Sequence, residues 1–411
     1  MKILTINTHS TRGGAARVAG TIHNFLMRRP LSEGISSEMV TGWGDNEPAA
    51  HRAAVFNGQA SKYINAAWFR LHGSDGGMLI RRAGTRLAKE VEDADLVHIH
   101  NLHGYYVALD FLKLLEDKPV VWTLHDFWIA TGRCAFPIDC TGPLDQCARC
   151  PDRAKYPAAI RRSFRTQYMN KMALISRLKK LTITCPSHTF SGELARYGLD
   201  IAGLRVIYNG VDTAVFKPGN DREYDSIRAD IRLPDTGRPV LAFAANQVAD
   251  PRKGLYYLAQ AMDRLEDPVT LIIIGEHKGA RRLLPVNTKH TVIFTGFLQD
   301  KLRVADLLKI SDYFINPSIA ETFGMINLES LSCGTRPIVF ALPVFRETLS
   351  DWGIFVDKAE TPSLTAKIKE CIADKTTNEM RFLAHKYVCD KFSEDIMCSN
   401  YLNLYKEILK Q

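Results

Sequence analysis

Along the chain, short apolar runs rich in β-branched residues alternate with longer stretches of helical periodicity. The first half contains KILTIN, DLVHIH, PVVWTL, LTITCPS and LRVIYN. The second half contains PVLAFAAN, VTLIIIG, TVIFTGF, YFINPS and RPIVFAL. Strands that alternate with helices imply parallel sheets covered by helices on both faces, an α/β architecture. Ten such strands exceed one comfortable sheet. The stretch NGVDTAVFKPGNDREYDSIRADIRLPDTGRP, near 210–237, is polar and rich in Gly, Pro and Asp. It reads as a hinge leading into a second Rossmann-like domain. Boundaries at 1–212 and 213–391 follow, with an amphipathic segment at 392–411. Ser393 is a plausible N-cap there, ahead of Glu394.

A chain of 411 residues suits two domains better than one core. Its 46% apolar and 24% charged content are those of a globular protein. No apolar run of membrane-spanning length appears, and MKILTINTH does not resemble a leader, so the expected location is the cytoplasm. Nine cysteines without an export signal argue against a disulfide framework. The net charge of +8 is uneven. Between 153 and 180 lie Arg153, Lys155, Arg161, Arg162, Arg165, Lys171, Arg177, Lys179 and Lys180, with no acid among them. That run is either a solvated helix face or a surface that meets anionic lipid or an acidic acceptor. No nucleic-acid-binding module is recognisable, and nucleic acid is not expected as a partner.

Ligands of open α/β sheets bind beyond the carboxyl ends of the strands. Candidate chemistry is therefore sought just after each run. After the first comes NTHSTRGGAARVAG, where Gly13 and Gly14 open a helix and let backbone N–H groups approach an anion. The alternative is an ordinary strand–helix turn. After PVVWTL come His125 and Asp126, able to orient a substrate or carry a proton near neutral pH. A loop-bonded histidine is the plain alternative. His98, His100 and His103 cluster at another strand end, where cleft lining is favoured over zinc. After PVLAFAAN, the turn Asp250-Pro251 leads to Arg252, Lys253 and Gly254. Two cations at a helix start suit a diphosphate, and a capped surface helix is the alternative.

After YFINPS, the sequence IAETFGMINLESLSCG places a helix between about Gly324 and Gly334. Thr322, Phe323 and Gly324 can present backbone donors to a phosphate. Glu321 lies on the loop and Glu329 within the helix. Eight helical residues would span about 12 Å. That is near the reach from a sugar to the ribose of a nucleotide-sugar, and carboxylates accept hydrogen bonds from vicinal hydroxyls. By spacing alone, two solvated glutamates are the better reading.

Taken together, these residues resemble the retaining GT-B glycosyltransferases of glycosyltransferase family 4, over nearly the whole chain. Glu321-x7-Glu329 looks like that family's paired-glutamate signature, and RKG at 252–254, VIYNGVD, Gly13-Gly14 and His125-Asp126 fall in the expected order. The resemblance implies a GT-B fold, two Rossmann-like domains facing across a cleft, with 392–411 packing back on the N-terminal domain. It implies that Glu321 contacts the donor sugar and Glu329 the ribose. Lys253 would bind the diphosphate, with Arg252 beside it and Gly13 and Gly14 lying over it. His125 would stand near the reacting carbon, and His125 and Glu321 are the catalytic candidates. Many members carry an arginine six residues before the lysine; here Gln247 occupies that place.

The implied activity is a retaining hexosyl transfer from a UDP- or GDP-linked sugar to a glycan or lipid-linked glycan. The setting is bacterial surface polysaccharide biosynthesis, at the inner face of the cell membrane, with no cofactor required for catalysis. A nucleotide-sugar epimerase, a phosphorylase and a non-catalytic sugar-nucleotide binder share the two-domain plan. TGRCAFPIDCTGPLDQCARC resembles an insertion of the colanic-acid-type branch. Its Cys134, Cys140, Cys147 and Cys150 could hold a structural zinc. A disulfide pair or free buried thiols are the alternatives.

Overall fold

Two parallel sheets order the chain. The computed structural model describes residues 1–43, 52–56, 59–72, 87–138, 140–153, 158, 160, 164–199, 203–231, 233, 237–284, 289–357, 359–374 and 377–410. The first sheet has seven strands: β1 (Lys2–His9), β2 (Ser36–Trp43), β3 (Arg52–Phe56), β4 (Leu96–Ile99), β5 (Val120–Thr123), β6 (Leu181–Cys185) and β7 (Arg205–Val206). Their order is β3-β2-β1-β4-β5-β6-β7. The second has six: β8 (Val240–Gln247), β9 (Thr270–Glu276), β10 (Thr291–Gly296), β11 (Tyr313–Asn316), β12 (Arg336–Phe340) and β13 (Ile354–Val356). Their order is β10-β9-β8-β11-β12-β13. Every named pairing is parallel. Each sheet reverses its winding once, between β1 and β4 in the first and between β8 and β11 in the second. These are the two topological switch points.

The apolar runs become strands because both of their faces are covered. Leu4, Ile6, Val97, Ile99, Val120, Trp122 and Ile183 fill one core, and Leu241, Phe243, Leu271, Ile273, Ile315, Ile338 and Phe340 fill another. Each such side chain contributes about 1.5–3 kcal/mol on burial. The ten expected strands are present, and β2, β3 and β13 are additional.

Chain contacts divide the molecule into Met1–Tyr208 with Met397–Gln411, and Asn209–Ile396. The polar stretch after 209 is more than a hinge. Asn220 and Glu223 form a reciprocal capping box that starts a helix at Asp221–Asp230. Val211 bridges to Ser393, and a β-carbon on Gly210 would stand 2.5 Å from Glu394 Cα. The helices Asn378–Phe392 and Glu394–Ile408 are divided at Ser393, whose Oγ accepts from Ile396 N–H at 3.4 Å. Beyond Ile396, Tyr401 and Tyr405 are fully buried against the first sheet. Tyr405 O–H bonds His98 Nδ1 at 2.6 Å, and Tyr401 bonds Thr123 Oγ1 at 2.9 Å.

Among the described residues of 153–180, Lys171, Arg177 and Lys179 are already engaged. Lys171 is buried, donates to the Trp128 and Thr131 carbonyls, and sits 3.7 Å from the Trp128 ring centroid. Arg177 pairs with Glu116 and Lys179 with Asp117, both at 2.7 Å. Lys155, Arg161 and Arg162 lie outside the described residues. Acids from another part of the chain thus neutralise what looks unopposed in sequence.

Candidate functional site

The loops that leave β8 and β11 meet at the second switch point. Asp250 accepts from Arg252 N–H at 2.9 Å and starts a single 3-10 turn, Pro251–Lys253. Gly254 then turns the chain with φ 77° into the helix Leu255–Arg264. A β-carbon there would stand 1.9 Å from the Pro317 carbonyl oxygen, so only glycine lets the two loops press together. Ile319 N–H donates to Arg252 O at 3.0 Å, and the Arg252 guanidinium donates to Ala320 O at 3.0 Å. This register delivers Glu321 to both cations. Lys253 Nζ bonds Glu321 Oε1 directly, and Arg252 Nη1 stands 3.4 Å from Oε2. Burial alone would raise the Glu321 carboxyl, but the Lys253 ammonium and Arg252 guanidinium outweigh it and hold the group below its ordinary value.

Beyond Glu321 the chain folds inward. Thr322 and Phe323 are buried, and the Phe323 ring lies 6.1 Å from Phe392. Gly324, with φ 84°, caps the helix Met325–Ser332, which closes through Gly334 N–H to Leu331 O and Thr335 N–H to Ser330 O. A β-carbon on Gly324 would meet Phe345 at 2.5 Å and Asn327 Nδ2 at 3.1 Å. Glu329 is 1% exposed within that helix, a costly place for a carboxylate and one a merely solvated glutamate would not occupy. Three supporting residues were not singled out from sequence. Ser318 Oγ donates to Asn316 Oδ1 at 2.6 Å, and Asn316 Nδ2 donates to Asn327 Oδ1 at 2.8 Å. The signal for Asn316 and Ser318 is the NPS that ends an otherwise apolar strand; Asn327, within the helix, has none.

Gln247, at the place of the usual arginine, is exposed at the end of β8, in register with Glu276. Arg252 is held by Asp250, Ala320 and Glu321.

At the first switch point, Thr8 Oγ1 reaches the carbonyls of Asn101 at 3.2 Å and His103 at 2.6 Å. Gly13 has φ 92° and caps the helix Gly14–Met27. Gly14 differs, because nothing lies within 4 Å of where its β-carbon would be. His125 follows β5. Its Nε2 lies 2.8 Å from His100 Nδ1, with the rings stacked at 5.2 Å. Burial lowers His125 to about 4, with Asp126 opposing and His103 adding to the shift. Burial thus keeps the His125 imidazole neutral near pH 7. Asp126 bonds His103 Nε2 at 2.8 Å and caps Trp128 N–H at 2.9 Å. His98 uses both ring nitrogens, on Tyr405 and on Thr123 at 2.7 Å, which leaves neither for a metal.

The four insertion cysteines are free thiols. Cys147 Sγ accepts from Gly132 N–H at 3.1 Å and Cys140 Sγ from Gly142 N–H at 3.4 Å. Cys150 Sγ donates to Asp152 O at 3.3 Å. Burial pushes the Cys134 thiol up to about 11. Among the described residues no group of three or more His, Cys, Asp or Glu is placed to hold a metal ion. Arg133 helps to fasten the insertion: it is buried, donates to Asp152 O at 2.6 Å and lies 5.0 Å from the Phe164 ring centroid.

The structure thus joins Arg252, Lys253 and Glu321 at one switch point, with Thr322 to Glu329 continuing from them. Gly13, Gly14 and His125 lie around the ends of β1 and β5 in the other unit.

Residues 12–215 match a family model described as Glycosyltransferase Family 4, and residues 238–374 match one described as Glycosyl transferases group 1. WcaC of Escherichia coli (strain K12), a glycosyl transferase assigned to colanic acid biosynthesis, is 28% identical over 99% of this chain and 100% of its own. The Anabaena protein Alr3699/HepE, solved with UDP-glucose, superposes with a TM-score of 0.69 at 17% identity, covering 99% of this chain and 100% of that one. Sucrose-phosphate synthase from Thermosynechococcus elongatus gives 0.67 at 16% identity, covering 100% and 99%. The two family models span both Rossmann-like units, the relative runs the full length, and the neighbours share the GT-B fold: the chain belongs to the family 4 glycosyltransferases.

Proposed function

We propose that this glycosyltransferase moves a hexose from a nucleoside-diphosphate sugar to a glycan or lipid-linked glycan acceptor, with retention at the anomeric carbon. The observation that carries this reading is the convergence of Lys253 and Arg252 on Glu321 at the switch point between β8 and β11. Two cations beside a buried carboxylate suit a ligand that is anionic at one end and hydroxylated at the other. Full-length similarity to WcaC supports surface polysaccharide as the product class, and a neighbour solved with UDP-glucose supports the donor class.

In this reading the diphosphate takes up Lys253 and the backbone N–H groups that start the helix at Met325. Glu321, released in part from Lys253, accepts from sugar hydroxyls, and Glu329 accepts from the ribose. The bond between the anomeric carbon and the diphosphate oxygen breaks, and the bond to the acceptor oxygen forms on the same face. The acceptor proton passes to the departing phosphate. Lys253, Arg252 and the helix N-terminus stabilise the charge that develops on that phosphate. We also propose that the enzyme works at a membrane surface.

The test combines binding and turnover. Thermal shift against UDP, GDP, ADP and CMP should show selective stabilisation by one diphosphate. Lys253→Ala and Glu321→Gln should each lower transfer from that donor by about 10²–10³, the cost of losing one preorganised electrostatic group. Near-normal turnover in either variant with an intact fold would overturn the assignment.

A further inference from the structure

His100 is 1% exposed at the end of β4, between His98, whose ring lies 4.2 Å away, and His125. Its backbone is fixed on both sides, since its N–H donates to Ile6 O at 2.9 Å and its carbonyl accepts from Trp122 Nε1 at 3.0 Å. Its Nδ1 lies 2.8 Å from His125 Nε2. Its Nε2 is buried and makes no hydrogen bond among the described residues. Burial, with His98 and His125 adjacent, keeps the ring neutral.

A neutral imidazole carries one N–H, and the hydrogen bond at one nitrogen decides where it sits. A proton on His100 Nε2 would leave a buried donor orphaned and make Nδ1 the acceptor. A proton on Nδ1 makes the bond to His125 and leaves only an orphaned acceptor. Orphaned buried donors are the rarer of the two. We infer that His100 is a positioning residue: it donates its Nδ1–H to His125 Nε2, and so sets His125 as the tautomer with its proton on Nδ1. His125 is then a hydrogen-bond donor at Nδ1 and not a base at Nε2. Such a group suits an oxygen acceptor, either a sugar hydroxyl or a phosphate oxygen. The identity of that ligand rests on the transferase reading; the tautomer does not.

The experiment is long-range proton–nitrogen NMR of the full chain labelled at its histidine nitrogens, near neutral pH and without substrate. In the wild type, His125 should show a protonated Nδ1 and a bare Nε2. His100→Phe keeps a ring of similar size but removes the donor, and His125 should then move toward the Nε2–H form that free imidazole favours. His100→Asn places an amide N–H close to the lost Nδ1 and should restore the wild-type signature. Transfer should fall about tenfold in His100→Phe, the weight of one hydrogen bond, and recover in His100→Asn. A wild-type His125 protonated on Nε2, or a tautomer unchanged by His100→Phe, would overturn the inference. Should the Phe variant fail to fold, the wild-type tautomer decides alone. Because no substrate is needed, this result is separate from the Lys253→Ala test of the transferase reading.

Discussion

The histidines at the ends of β4 and β5 give the N-terminal unit a definite acid sensitivity. Burial lowers His98 to about 3 and His125 to about 4, and holds His100 well below 6.5. As pH falls through 6.5, the unfolded chain takes up three protons that the folded chain refuses. Stability is therefore fully present above 6.5 and is lost progressively on the way down to about 3. Three protons at about 1.4 kcal/mol each give a slope approaching 4 kcal/mol per pH unit. Glu321 has a lower window: its depressed value keeps its contribution intact above 4.5, to be lost only below. The N-terminal unit should thus fail first. Four of the five tryptophans, Trp43, Trp68, Trp122 and Trp128, belong to it. Urea titrations followed by tryptophan fluorescence should show the midpoint falling steeply between pH 6.5 and pH 5. A flat midpoint over that range would mean that these rings are not held neutral.

The loops after β8 and β11 depend on glycine in a way that the helix after β1 does not. Gly254→Ala combines a positive φ with a β-carbon driven into the Pro317 carbonyl. It should cost more than about 2 kcal/mol, displace Lys253 from Glu321 and abolish transfer. Gly14→Ala meets open space within a helix, so the fold should be unchanged or firmer by up to about 0.5–1 kcal/mol. Its effect should fall on donor affinity instead. Calorimetry with donor titration separates the two outcomes, and equal stability losses would contradict the geometry. The same contrast explains what was legible in the sequence. The ten apolar runs were readable because strands buried on both faces need unbroken apolar residues. β2 (SSEMVTGW) was missed because serine, glutamate and glycine interrupt it, and β13 because three residues carry too little pattern. Lys253 and Glu321 stood out as charges just after strands. Asn316, Ser318 and Asn327 did not, and the bond from His100 to His125 was not readable, because the work of a buried polar residue depends on partners distant in sequence. The pairing of Arg177 with Glu116 and of Lys179 with Asp117 was not legible in the basic run at 153–180 for the same reason.

At the scale of the whole molecule, the observation that the core does not account for is the outward face of the helix Gln59–His72. Its inner face is settled: Phe69 packs with Phe164, and Asn65 donates to Tyr105 O at 2.9 Å. Its outer face carries Tyr63, Ile64, Trp68 and Leu71, at 71%, 58%, 41% and 56% exposure. Ile160, also exposed, adjoins it through a 2.8 Å bond from its N–H to Arg70 O. The helix has Lys62 and Arg70 and no acid, and the exposed Arg153 lies close by, donating to Ile160 O at 3.2 Å. Apolar and aromatic side chains on a helix whose charged residues are all cations fit the boundary of an anionic bilayer. Each such cation adds about 1 kcal/mol near anionic lipid. Docking on the surface is the arrangement proposed for this face; no helix of the described residues is long and apolar enough to cross a membrane. This helix, with Ile160 and Arg153 from the 153–180 run, is the proposed contact. The chain should co-sediment with phosphatidylcholine vesicles containing phosphatidylglycerol, less so as salt rises, and poorly with phosphatidylcholine alone. Trp68→Ser with Leu71→Ser removes two apolar anchors of about 1.5–3 kcal/mol each at full burial, and should weaken vesicle binding more than tenfold while transfer to a soluble acceptor is kept. Vesicle binding unchanged in that variant would end the membrane assignment. A wild-type dimer in gel filtration that dissociates in the variant would instead make this face a contact between two copies.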